Sequence, residues 1–221
     1  MQNKLSKQEQ LRQSQAEAQA LIDLPEEKVT GEVRQRINFL ESEVTRLRAE
    51  LGEARKRVSE LVELADRDPL IEIMNRRAFV RELSRVMAAV ERYNFKSNLV
   101  YLDLNGLKAI NDNHGHAAGD AVLKRIGETL AAQIRQTDAV GRLGGDEFGL
   151  LLTHTSTEMA EVKMSQLASI ISAKPMIWNN CALQVSISYG VFPILQGNCI
   201  EETLIEADRA MYAQKQAKRQ A

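Results

Sequence analysis

GRLGGDEFGLLL, residues 141–152, sets two glycines and two consecutive acidic residues directly ahead of an apolar run. The run 148–152 reads as a buried strand, and Gly144-Gly145 reads as the turn of a hairpin that leads into it. Strands seldom open on paired carboxylates without a positive charge against them, because desolvating an unpaired carboxylate is costly. Asp146 and Glu147 therefore need a counter-charge, and the two glycines ahead of them need a reason.

A second acidic residue breaks an apolar strand upstream. NLVYLDL (98–104) is nearly continuous in apolar side chains, with Asp103 near its C-terminal end. If the hairpin pairs beside this strand, Asp103, Asp146 and Glu147 converge. Their repulsion would raise their pKa values unless a divalent cation offset it. An oxygen-only ligand set selects Mg²⁺ or Mn²⁺ over zinc, and such a site suits phosphoryl or nucleotidyl transfer by two metals. On these residues alone, a solvated acidic turn with one strand-end aspartate fits equally well.

The segment DLNGLKAINDNHGHAAGDAVL (103–123) adds Lys108, Asn111, Asp112, His114, His116 and Asp120, with glycines at 106, 115 and 119. A glycine-containing turn between strand and helix lets backbone N–H groups approach phosphate oxygens, and Lys108 adds a point charge. Asn and Asp together can read guanine, the Asp accepting from N1–H and the exocyclic amine. Taken singly, each of these residues also fits a helix cap or a surface position.

Further outward, the pattern alternates. Helices are predicted over about 76–92, 118–136, 157–172 and 200–220, and a strand over 182–192, giving an α/β domain with a mixed sheet. Before it lies a different signal. Val33, Ile37, Leu40, Val44, Leu47, Leu51, Ala54, Val58, Leu61 and Ala65 alternate in steps of four and three. β-Branched residues at a (Ile37, Val44, Val58) with Leu at d (Leu40, Leu47, Leu61) favour a parallel two-stranded coiled coil. Arg36 with Glu41, Glu43 with Arg48 and Glu50 with Arg55 then make opposite-charge pairs between chains. A helix of this span, about 58 Å long, cannot lie wholly on one small domain. Pro25, Glu26 and Glu27 mark its start, and Pro69 in ADRDPL its end. Residues 1–24 are polar and fit either a helix or a disordered segment. The expected organisation is thus 1–24 polar segment, 25–66 coiled coil and 67–221 α/β domain.

The composition excludes several classes. A net charge of −1 gives no basic field to recruit nucleic acid. No apolar stretch is long enough to span a membrane and no signal-peptide pattern opens the chain, so a cytoplasmic protein is expected. Cys181 and Cys199 lack metal-site spacing and are expected as reduced core thiols.

Four ordered motifs, DPLIEIMNRRAF, DLNGLKAINDNHGHAAGD, GGDEF and ADRAMYAQKQAKR, resemble the GGDEF family of diguanylate cyclases over about residues 66–221. The resemblance implies an α/β (α+β) adenylyl-cyclase-like palm that condenses two GTP into cyclic di-GMP in a bacterial cytoplasm. It implies a Mg²⁺ (or Mn²⁺) site, two ions per half-site, at Asp103, the Leu104 carbonyl, Asp146 and Glu147. Asp146 matches the base that takes the 3′-hydroxyl proton. Asn111 and Asp120 match guanine readers. Lys108, Lys215 and Arg219 match phosphate contacts, and Gly144 and Gly145 match glycines over which the nucleotide lies. Arg135 and Asp138, in RQTD, resemble an inhibitory site that grips the product.

The pattern departs at Ile71 and Glu72, where Thr and Gly are usual. It departs again at Asn105 for Asp, Leu107 for Phe, and Lys218 for Gly. Each domain is expected to bind one GTP, so the coiled coil supplies the second half-site by making a homodimer, and a protein partner could act on residues 1–30. The rival reading is a catalytically inactive GGDEF-like sensor of GTP or cyclic di-GMP.

Overall fold

The computed structural model describes residues 31–220; the side chains at positions 32, 63 and 218–220 are not described. The expectations for residues 1–30, including the helix start at Pro25 and a partner site, lie outside the described residues. The described residues fall into two units that part between Leu61 and Val62.

Helix α1 (Gly31–Asp66) is one continuous helix of 36 residues. Its a/d residues Val44, Leu47, Leu51, Val58 and Leu61 are all exposed. Arg46 pairs with Glu43 and Glu50 one turn away on either side, the i,i+3 and i,i+4 geometry that supports an isolated helix.

In the second unit, α2 (Arg76–Tyr93) starts on Asn75, whose side chain accepts from the Ala78 amide, and stops at Asn94 in the left-handed region. Strand β1 (Ser97–Asn105) follows, then α3 (Leu107–His114), α4 (His116–Gln133), β2 (Ala139–Arg142) and β3 (Glu147–Thr153). Helix α5 (Thr157–Ala173) precedes a small hairpin, β4 (Met176–Trp178) with β5 (Cys181–Leu183); β6 (Ser186–Pro193) and α6 (Ile200–Gln220) complete the unit.

The main sheet has the order β2-β3-β1-β6. The α/β class stands, but the expected mixed sheet is corrected: every strand pair in it is antiparallel. Two helices carry the chain from β1 to the sheet edge at β2, and the hairpin then returns β3 into the slot beside β1, running against it. The one parallel contact among the described residues is an isolated bridge from Met74 to Gly141.

Alternate residues of β1 feed two cores. Val100, Leu102 and Leu104 face α4 and α5, while Leu99 and Tyr101 face α2 and α6. Asp103 shares the second face, which is why α6 can reach it. Gly141 and Gly149 pair in register and admit Phe79. A Cβ would come within 2.8 Å of Phe79 at the first and 2.5 Å at the second.

Three further expectations change. The helix predicted over 118–136 begins at His116 and ends at Gln133, and a separate short helix precedes it, because Gly115 (φ 82°, ψ 163°) breaks the chain between them. The strand predicted over 182–192 is two strands, since residues 181–183 fold back on 176–178 through Asn179 and Asn180, both at positive φ as a two-residue hairpin turn requires. Cys181 and Cys199 are free but exposed, not core thiols.

Candidate active site

The sheet register places the acidic residues at one end of the central strands. Asp103 sits directly across from Glu147, and the Leu104 amide donates to the Asp146 carbonyl at 3.0 Å. Asp103 is 9% exposed, so its charge cannot rely on water alone. Its partner is Lys215 of α6, whose ammonium donates to Asp103 Oδ1.

Glu147 leans the other way along the same face. Its carboxylate lies over Gly144, where a Cβ would sit 2.3 Å from Oε2, and beside the Tyr101 hydroxyl. Burial pushes the Tyr101 phenol well up, and the Glu147 charge pushes it further. Among the described residues, no three His, Cys, Asp or Glu side chains are gathered closely enough to hold a metal ion as they stand. The donor set is nevertheless all oxygen, which fits a hard divalent cation, and Leu104 and Asp146 of that set line an open pocket.

The turn carrying these acids is held from behind by two arginines. Arg76 donates to the Leu143 carbonyl, and Arg142 donates through Nε to Gly144 and through Nη2 to Gly145, at 2.8–3.0 Å. The remaining arm of Arg142 meets Asp68 at 3.3 Å, and both side chains are largely buried. Asp68 also accepts from the Leu70 and Ile71 amides, so one carboxylate ties the lead-in segment to the turn. Ile71 is buried and fills a notch on α4, where a Gly127 Cβ would meet it at 2.4 Å. The departure at 71 is therefore accommodated by Gly127, and the exposed Glu72 contributes its carbonyl to Arg67.

Gly144 and Gly145 differ. Neither stands at positive φ. Gly144 is needed by Glu147, whereas a Cβ at Gly145 would meet nothing within 4 Å. Among the described residues nothing requires glycine at 145.

A pocket of about 460 Å³ opens beside the turn, lined among others by Leu104, Gly106, Lys108, Asp146 and Lys215. Asn105 crosses its floor, donating to Ser186 and accepting from Ser188. The expected guanine readers lie on the two neighbouring helices α3 and α4. Asn111 of α3 packs on Gly119 of α4, where a Cβ would lie 2.0 Å from its Oδ1, and Asp120 is the next residue, exposed. Asn111 Oδ1 is buried and has no hydrogen-bond partner. An orphaned acceptor in such a place is costly unless a ligand N–H completes it. Arg219 lies in the last turn of α6; its side chain, like that of Lys218, is outside the described residues.

Arg135 and Asp138 share one turn, but their contact is made by the Arg135 backbone amide, which donates to Asp138 Oδ2 at 3.1 Å. Asp138 Oδ1 accepts from the Thr153 amide, latching the turn to the end of β3. The exposed Arg135 and the half-buried Asp138 line a second pocket of about 240 Å³ with Met159 and Lys163.

Sequence reasoning missed Asp68, Arg76, Arg142 and Tyr101. The arginine two places before Gly144 was visible in GRLGG, but its partner Asp68 is 74 residues away. Only the folded register joins them.

The family model of the diguanylate cyclase GGDEF domain matches residues 65–221. The probable diguanylate cyclase DgcE of Escherichia coli (strain K12) is 35% identical over 167 residues, which is 75% of this chain and 15% of that protein. Diguanylate cyclase SiaD of Pseudomonas aeruginosa, solved in complex with its activator SiaC, superposes with a TM-score of 0.73 at 28% identity, covering 93% of this chain and 77% of that one. The coiled coil and GGDEF domain of DgcB from Caulobacter crescentus, solved in complex with c-di-GMP, shares the fold at a TM-score of 0.73 and 23% identity, over 80% of this chain and 95% of that one.

Proposed function

Because the chain belongs to the GGDEF family of diguanylate cyclase domains, we propose that it condenses two GTP molecules into cyclic di-GMP, with one half-site on each chain of a homodimer. The observation that carries this reading is the meeting of Asp103 with the Gly144–Gly145–Asp146–Glu147 turn at the mouth of a pocket that presents Lys108 and Lys215. Asp103, the Leu104 carbonyl, Asp146 and Glu147 would hold Mg²⁺ or Mn²⁺, two ions per half-site. That cation supplies positive charge for a 3′-hydroxyl losing its proton and for the α-phosphate.

The roles of the chain's own residues follow from their places. Asn111 and Asp120 read the guanine. Gly145 leaves room for the nucleotide over the turn. Lys108, Lys215 and Arg219 neutralise the phosphates. Asp146 takes the 3′-hydroxyl proton. The 3′-oxygen of each GTP forms a bond to the α-phosphorus of the other, the bond from that phosphorus to the β-phosphate bridging oxygen breaks, and two pyrophosphates leave.

Since the attacking and attacked nucleotides sit on different chains, the exposed seam of α1 acts as the parallel dimer interface that raises their local concentration. Arg135 and Asp138 serve a feedback site for the product, residues 1–30 the contact for a protein partner, and the bacterial cytoplasm the setting in which GTP is available.

The test is incubation of the purified chain with GTP and Mg²⁺, with nucleotides separated by anion exchange. Cyclic di-GMP and pyrophosphate in a 1:2 ratio are expected. A demonstrated dimer that binds GTP and makes no cyclic di-GMP would instead be a nucleotide-sensing domain.

A further inference from the structure

Lys215 comes to Asp103 from 112 residues further along the chain. The site needs positive charge whether or not a ligand is bound, because Asp103 is buried, Glu147 lies directly across from it and Asp146 immediately precedes Glu147 in the turn. We propose that Lys215 is an internal counter-ion: it holds Asp103 until a divalent cation takes that carboxylate, and it then passes to the phosphates of the nucleotide. This rests on the reading of Asp103 as a cation ligand given above, and it adds that cation and nucleotide enter the pocket cooperatively.

The residue type and its placement suit an exchange. An ammonium on a four-carbon stem is a point charge that can change partners by rotating, whereas a guanidinium fork would be locked to the carboxylate. The Lys215 side chain is 24% exposed against 12% for that of Asp103, so the lysine end of the pair faces the opening. It lines the same pocket as Lys108, and the pocket has room for another acceptor.

A cation arriving alone must compete with Lys215 for Oδ1 and leaves an ammonium with no partner beside it. A nucleotide arriving alone must draw Lys215 away and leaves Asp103 buried and unpaired. Together, each ligand supplies the partner that the other's arrival removes. By reciprocity, the factor by which nucleotide tightens cation binding equals the factor by which cation tightens nucleotide binding. Lys215 is in this sense a positioning residue for the metal ligand, acting before any chemistry.

The experiment measures Mn²⁺ binding to the full chain by electron paramagnetic resonance of the free ion. It is run first with Mn²⁺ alone and then with a non-hydrolysable GTP analogue, after subtracting the ion held by free nucleotide. Wild type should bind Mn²⁺ weakly alone and about tenfold or more tightly with the analogue. Lys215→Met, which keeps the stem and removes the charge, should tighten binding of Mn²⁺ alone by about tenfold and shrink the gain from the analogue. Lys215→Gln should move in the same direction, and the gain should vanish in Asp103→Asn/Lys215→Met.

Wild type with no analogue-dependent gain would overturn the proposal, and that arm needs no variant to fold. So would folded Lys215 variants that bind Mn²⁺ no better than wild type, or a gain that persists without Asp103. Failure of the underlying reading has its own signature: Asp103→Asn alone would then leave Mn²⁺ binding with the analogue unchanged.

Discussion

Helix α1 leaves Leu47, Leu51 and Leu61 half or more exposed, whereas β1 keeps Asp103 nine-tenths buried. The two regions depart from ordinary burial in opposite directions. In the helix, apolar surface stands in water at every heptad step, which a single chain cannot repair and a second copy can. In the strand, a charge stands out of water, and the chain repairs that itself with Lys215. On the function proposed above, the difference teaches where completion comes from: another chain for the helix, a small ion and a nucleotide for the sheet end.

The largest expected effect comes from breaking the helical side. Leu47→Lys with Leu51→Lys should halve the sedimenting mass and lower cyclic di-GMP formation roughly 100-fold at micromolar protein. The melting transition of the α/β unit should stay where it is, because neither leucine belongs to its cores.

On the strand side, Arg142→Gln removes the partner of buried Asp68 and two of the donors behind the glycine turn. It should cost about 3 kcal/mol in calorimetric stability and slow turnover as well. Arg142→Lys should recover only part of either loss, since one ammonium cannot serve both partners as the fork does.

A smaller and more selective effect is expected at the turn itself. Gly145→Ala should leave stability within about 0.5 kcal/mol of wild type while weakening binding of a GTP analogue, measured by isothermal titration calorimetry. Gly144→Ala should lose stability even without nucleotide, because its Cβ would meet the Glu147 carboxylate.

The smallest effect concerns Asp66, at the C-terminal end of α1. The hydrogen bond from Arg81 holds its carboxyl below the ordinary aspartate value, with Arg77 adding to the effect. A depressed folded-state pKa gives stability that is present above the unfolded value and lost as pH falls through the folded one. Asp66→Asn should therefore lower stability slightly at neutral pH and flatten the acid limb of a stability-against-pH curve. A curve with the same acid limb as wild type would mean that this pair is not coupled to folding.

The sequence carried the local features of this design and little of its long-range pairing. The heptad spacing predicted a long helix, and one continuous helix runs from Gly31 to Asp66. The apolar runs predicted β1 and β3, and pairing of the two, on which the meeting of Asp103 with the acidic turn depended, places Asp103 opposite Glu147. What stayed hidden depends on contacts remote in sequence or on single backbone angles. The α3–α4 break rests on Gly115, one glycine among three in that segment. The β4–β5 hairpin rests on Asn179 and Asn180, inside what reads as a single approach to one strand. The antiparallel sheet follows from β3 returning between β2 and β1. The Lys215–Asp103 and Arg142–Asp68 pairs exist only once the sheet and α6 are assembled.

The most direct measurement of the central claim is the rate of cyclic di-GMP formation from GTP and Mg²⁺ over a range of protein concentrations, with the dimer fraction measured at each by analytical ultracentrifugation. If two half-sites on two chains make the product, activity per chain rises in proportion to the dimer fraction and tends to zero with it. Undiminished activity in a solution of monomers would contradict the account.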